Sequence, residues 1–240
     1  DQDLYWLGST LARGEAPMGG IFPSAGRMLR NNGDGTFQDI TVQSQLLDIL
    51  NVDYKELEEK FYARGNLQFL RSKRISRRFH ENGKGVAHGD LNGDGFVDLI
   101  GTNSSGAIFT GPYDPSINKA PTELVPGPTF IWMNAGGINN WVNIRLIGRM
   151  SIDKTGSNAD GIGAKVYLTS KSINNGDSVT QVQEVRAGSS YLSMDSLNLE
   201  FGLGTADVID KILILWPSGT EQILENISIN QLLEIKEPEL

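Results

Sequence analysis

The sequence predicts an all-β protein, and three observations carry that expectation. There are 28 glycines among 240 residues, enough sharp turns to join many short strands. From Asp1 to about Asp48, and again from Gly83 to Phe109, glycine and asparagine alternate with short apolar runs, the pattern of strands and turns. From about Asn139 onward, short β-type runs return at Val142 to Ile147, Ala164 to Thr169, Val182 to Ala187 and Lys211 to Trp216. Hydrophobic residues make up 39% of the chain, which is enough to fill a core and argues against wholesale disorder.

The elements differ in character along the chain. Residues 1–134 read as one portion and 135–240 as a second domain. Inside the first portion, from about Val52 to Phe79, glycine nearly vanishes and charge becomes dense. Leu57, Phe61 and Arg64 recur at helical spacing there, which predicts a helical insertion broken near Gly65-Asn66. Arg71, Lys73, Arg74, Arg77 and Arg78 make its second half basic. That run is either a solvated helix face or a docking patch for an acidic partner or an anionic glycan.

Gly111 to Pro128 holds Pro112, Pro115, Pro121, Pro126 and Pro128. Proline fixes φ and removes the amide donor, so this stretch is expected to be a connector and excluded from the centre of a sheet. In the second domain, Lys211-Ile212-Leu213-Ile214-Leu215-Trp216 is apolar on both faces, as a strand covered on both sides is. Pro217-Ser218-Gly219-Thr220 follows as a turn.

A weak internal repeat makes the first portion modular. Asp3-Leu4-Tyr5 is echoed by Asp98-Leu99-Ile100, and Leu29-Arg30-Asn31-Asn32-Gly33 by Trp132-Met133-Asn134-Ala135-Gly136. Each copy has the character of one sheet blade lengthened by insertions.

Charge and composition exclude several classes. A formal net charge of −8 argues against a nucleic-acid binder, which needs a basic excess to neutralise phosphates, and suits a protein that collects cations. With no cysteine there are no disulfides, no thiolate nucleophile and no Cys-based metal site. No apolar run approaches the roughly 20 residues of a membrane helix. The chain opens at Asp1 without an initiator Met, so a piece of something longer is expected.

The densest chemistry lies in Asp90-Leu91-Asn92-Gly93-Asp94-Gly95-Phe96-Val97-Asp98. Oxygen-bearing side chains fall at positions 1, 3, 5 and 9 of this run, with glycine at position 6 for the sharp turn. Calcium takes about six to eight oxygens at 2.3–2.6 Å. Asp90, Asn92, Asp94 and Asp98 are expected to supply side-chain oxygens and Phe96 its backbone carbonyl. An EF-hand would close on a glutamate at position 12; here that position is Gly101, and the flanks Val86-Ala87-His88 and Phe96 to Ile100 are strand-like. Turns rich in Asp and Asn also form without metal. Three carboxylates on one short turn, however, repel one another unless a cation sits among them. Aligning Asp98 with Asp3 makes Asp1 and Asp3 candidate ligands of an earlier, truncated loop.

Two runs, Asp90 to Ile100 and Arg30-Asn31-Asn32-Gly33-Asp34-Gly35-Thr36-Phe37-Gln38-Asp39-Ile40-Thr41, resemble the VCBS/FG-GAP repeats. The second domain resembles the ASPIC/UnbV domain at Asn140-Trp141-Val142, Ser157 to Ala164, Glu184 to Gly188 and Phe201 to Gly204. Trp216-Pro217-Ser218-Gly219 and Asn230-Gln231 complete that pattern. The resemblance implies partial β-propeller blades of the integrin-α type with calcium loops, followed by a β-sandwich-like domain, an order also found in cartilage acidic protein and many secreted bacterial proteins. It further implies an extracellular or periplasmic calcium-braced module for adhesion, protein–protein interaction or assembly, with no established catalytic role. The departures are the small number of blades and the insertion at about 52–79.

No other constellation competes. The histidines are His80 and His88, and no G-x-S-x-G elbow, H-E-x-x-H helix or P-loop is present. Ser157, Asn158 and Asp160 either cap a turn or bind a glycan or second cation. Trp6, Trp132, Trp141 and Trp216 are sugar platforms or core anchors, and Trp216 is expected in the core. No catalytic residue is expected. The functional expectation is therefore a non-enzymatic calcium-binding module with a protein or glycan partner. Alternatives are an accessory subunit of a larger membrane-associated or extracellular complex, docked through the basic insertion, and a calcium-dependent hydrolase of extracellular polymers.

Overall fold

The computed structural model describes residues 3–12, 21–24, 26–46, 83–103, 106–109, 116, 122–125, 129–171, 176 and 178–239. Among these the regular elements are seventeen β-strands and one 3-10 turn at Arg149–Ser151, so the all-β expectation holds. The expected helical insertion at 52–79 and His80 lie outside the described residues. Among the described residues blade-like closure into a propeller is not seen; their strands form several small sheets.

Two compact units make up the chain: Asp1–Val86 with Ile100–Ile131, and Ala87–Leu99 with Trp132–Leu240. In the first half, β1 (Leu4–Trp6), β4 (Arg27–Asn31) and β5 (Phe37–Asp39) form a three-stranded sheet in the order β1-β4-β5. Leu4 stands opposite Leu29 and Leu29 opposite Asp39, both antiparallel. Between β1 and β4 the chain makes a two-stranded ladder, β2 (Ser9–Ala12) with β3 (Ile21–Ser24). The arrangement then recurs. The strands β6 (Gly83–Gly89), β7 (Asp98–Asn103) and β10 (Thr129–Trp132) form a sheet in the order β10-β7-β6. Between β7 and β10 stands another two-stranded ladder, β8 (Gly106–Phe109) with β9 (Thr122–Val125). Strand β9 lies inside the expected connector, in the proline-free window between Pro121 and Pro126. A two-stranded ladder has no centre, so the exclusion of proline from central strands is respected.

The second unit holds the core. One sheet has the order β14-β11-β17, from β11 (Asn140–Ile147), β14 (Asn198–Gly204) and β17 (Leu232–Lys236). The other has the order β13-β12-β15-β16, from β12 (Lys165–Lys171), β13 (Ser178–Glu184), β15 (Ile209–Leu215) and β16 (Glu221–Ile227). A single apolar cluster draws on both: Val142, Ile144 and Leu146 from β11, Leu199 and Phe201 from β14, Val166 and Leu168 from β12, Ile212 and Ile214 from β15. Each fully buried side chain of this size contributes about 1.5–3 kcal/mol.

Strand alternation explains who is buried. In β15, Ile212 and Ile214 point inward, while Leu213 and Leu215 are half-buried on the other face. The Lys211–Trp216 run is thus covered fully on one side only. Trp216 is in the core, as expected, with its indole Nε1 donating to Gln222 Oε1 at 3.0 Å. Strand β13 starts four residues before the expected Val182. It is an edge strand, and its half-buried Gln181 and Gln183 donate to the carbonyls of Gly202 and Glu200 on β14 at 2.7 and 2.6 Å.

Candidate metal centre

The loop from Asp90 to Asp98 joins β6 to β7, and its carboxylates are held by backbone amides. Asp90 Oδ1 accepts from Gly93 N at 2.8 Å and Asp94 N at 3.1 Å, and its Oδ2 accepts from Gly95 N at 2.8 Å. Asn92 Oδ1 accepts from Asp94 N at 3.1 Å, and Asn92 Nδ2 donates to Asp94 Oδ2 at 2.8 Å. Asp94 Oδ1 accepts from Phe96 N at 2.9 Å. Asp98, 1% exposed, accepts from Leu91 N at 2.9 Å and from Asn134 N at 2.7 Å. These bonds draw Asp90, Asn92, Asp94 and Asp98 into one connected turn. Gly93 and Gly95 have φ of +76° and +88°, the left-handed region that glycine enters without strain.

Two residues of β11 grip the loop, and neither was expected at the site. Asn143 Nδ2 donates to Asp90 Oδ2 at 3.0 Å. The Trp141 indole lies so close over Gly95 that any Cβ there would fall within the ring. Asn143 carried a sequence signal: it is a polar residue at a core position between Val142 and Ile144, and it is 3% exposed. The Phe96 ring packs beside Gly136, 3.5 Å from where a Cβ would stand there.

The Asp98–Asn134 contact has a twin. Asn134 N donates to Asp98 Oδ1, and Asn134 Oδ1 in turn accepts from Gly136 N at 3.1 Å. In the first copy, Asn31 N donates to Asp3 Oδ1 at 2.8 Å, and Asn31 Oδ1 accepts from Gly33 N at 2.9 Å. The residues paired by the sequence repeat therefore make the same clamp twice. Asp1 lies outside the described residues.

A second acidic group adjoins the loop. His88 Nε2 is 3.3 Å from Asp195 Oδ2, and His88 Nδ1 is 3.5 Å from Glu200 Oε2. The Glu200 carboxylate raises the His88 pKa above its ordinary value; burial opposes this, and Asp195 adds to it. His88 N also donates to Asp195 Oδ1 at 3.0 Å, so His88 serves the strand and the acids together.

Other candidates are spent on the fold. Ser157 is buried and donates to Glu237, Asn158 exchanges two bonds with Ile162, and Asp160 pairs with Arg145. They cap turns. Trp6 is 45% exposed, whereas Trp132 and Trp141 are half-buried.

The donor set of the loop is all oxygen, which matches a hard cation and excludes a soft one. Among the described residues, no three Asp, Glu, His or Cys side chains gather into a preformed cage. The loop oxygens are instead oriented by N–H groups, each of which occupies one of the available lone pairs. Among the same residues no helix is long and apolar enough to cross a membrane.

Residues 154–240 match the family model described as ASPIC and UnbV. This span covers β12 to β17 and not the loop. No curated protein and no solved structure matches the chain.

Proposed function

We propose that this chain is a calcium-binding, extracytoplasmic interaction or assembly module, without catalysis of its own. Asp90, Asn92, Asp94 and Asp98, with the Phe96 carbonyl, would hold the ion between β6 and β7. The observation that carries this reading is the connected oxygen-bearing turn, fixed by its own amides and anchored through Asn143. An ion bound there supplies charge neutralisation, and the chain's residues supply shape. The repeated Asp–Asn clamp, at Asp3 with Asn31 and at Asp98 with Asn134, supports kinship of both copies with VCBS/FG-GAP blades. The family match at 154–240 supports an ASPIC/UnbV-type partner domain.

A ligand bound only by the folded state stabilises it by mass action, by about 2.7 kcal/mol at a hundredfold excess over Kd. Calcium should therefore raise the melting temperature and a chelator should lower it, read by circular dichroism. Superimposable melts with millimolar calcium and with excess chelator would overturn the reading. Hydrolysis of a glycan or ester by the folded chain would overturn its non-enzymatic part.

A further inference from the structure

Three oxygen atoms in the second unit lack what buried oxygens require. Asn143 Oδ1, Glu200 Oε1 and Glu200 Oε2 are all inaccessible to solvent and none makes a hydrogen bond of ordinary geometry, Glu200 Oε2 having a long ion-pair contact of 3.5 Å with His88 Nδ1. The Glu200 side chain is 3% exposed. The two residues are not scattered: Asn143 on β11 stands directly opposite Glu200 on β14, so both side chains leave the same face. Asn143 already commits its amide nitrogen to Asp90. Gly89, immediately before Asp90, runs past the other member, with the position of a Cβ there 4.0 Å from Glu200 Oε1.

A buried carboxylate without compensation is strongly disfavoured. Among the described residues, the one basic group paired with Glu200 is His88, and it is divided between Glu200 and Asp195. A single imidazole thus faces two carboxylates, with the Asp90 carboxylate tied in through Asn143. Its Nδ1 stands 3.5 Å from one of the three oxygens, Glu200 Oε2. A trapped water would add donors but no charge. A hard cation answers both deficits, since it accepts several oxygens at once and carries the missing charge.

We propose that Glu200 and Asn143 form a second cation position behind the loop, where both Glu200 oxygens and Asn143 Oδ1 ligate a divalent ion such as calcium. It goes beyond the loop reading, because the three orphan oxygens exist whatever Asp90 to Asp98 bind. Asn143 then links two ions: its nitrogen orients Asp90, and its oxygen faces the second ion.

The test is calorimetric titration of the full chain with calcium, for the wild type, Glu200→Gln and Asp94→Asn. Glu200→Gln removes the charge and keeps the shape. The expected stoichiometry is two ions in the wild type and one in either variant. One ion in the wild type, kept by Glu200→Gln and lost by Asp94→Asn, overturns the second position and leaves the loop reading standing. One ion lost by Glu200→Gln and kept by Asp94→Asn upholds the second position and overturns the loop. If Glu200→Gln fails to fold, wild-type crystals soaked in terbium decide the matter. An anomalous peak about 2.3–2.6 Å from the Glu200 oxygens supports the position. Its absence there overturns it.

Discussion

Glu237 is a charged residue near the end of the chain, yet it is 2% exposed. Burial alone would push its carboxyl up. The N–H of Arg149, the hydroxyl of Ser218, and the N–H and hydroxyl of Ser157 all donate to it, and together they hold its pKa below the ordinary value. Gly156 completes the cage: it has φ +61°, and a Cβ there would stand 2.7 Å from Glu237 Oε2. Because the folded pKa is depressed, this stabilisation is full above the unfolded value of about 4.3. It is lost as pH falls through the lower folded value. Glu237→Gln turns one acceptor into a donor that faces donors, at a cost of about 2–4 kcal/mol at pH 7. The variant should also show a shallower loss of stability below pH about 4.3, measured by urea unfolding across pH. An acid limb as steep as that of the wild type would refute the assignment.

At the scale of the strand, alternation decides which apolar residues matter. Ile214 is fully buried between two sheets, whereas its neighbour Leu213 is only half-buried. Ile214→Ala should cost about 2–5 kcal/mol, from lost transfer energy plus the cavity left behind. Leu213→Ala should cost about 1–2 kcal/mol, because part of its surface is already wet. Equal losses in denaturant midpoint would contradict the one-sided core. The apolar content of Lys211 to Trp216 was legible, but its asymmetry was not, because coverage depends on which sheet lies across from it. Strand β13 illustrates the reverse case. Its inward positions Gln181 and Gln183 are polar, and donation to β14 carbonyls accommodates them there.

For the whole molecule, local chemistry was easier to read than the pairing of distant segments. The loop and its glycines stand within nine consecutive residues, so their spacing alone exposes them. Asn143 left a local trace as a polar residue between Val142 and Ile144, but the contact of β11 with the loop and the pairing of Asn143 with Glu200 are set by the fold, which no local pattern records. The repeat is intermediate, since the equivalence of Asp3 with Asp98 was visible and its cause, a clamp onto Asn31 or Asn134, required the fold. The contacts also place the loop, as Ala87–Leu99, in the same compact unit as residues 132–240. An ion that fixed Asp90 would act through Asn143 on β11, and through its pairing on β14 and β17. Hydrogen exchange with and without chelator should register this: amides of β11 and β14 should lose protection when calcium is removed, while those of β1, β4 and β5 should change little. Local opening free energies differ between such units, so the contrast is measurable peptide by peptide. Uniform deprotection of both units would mean that the ion braces the chain as a whole, and no change in β11 would mean that Asn143 transmits nothing.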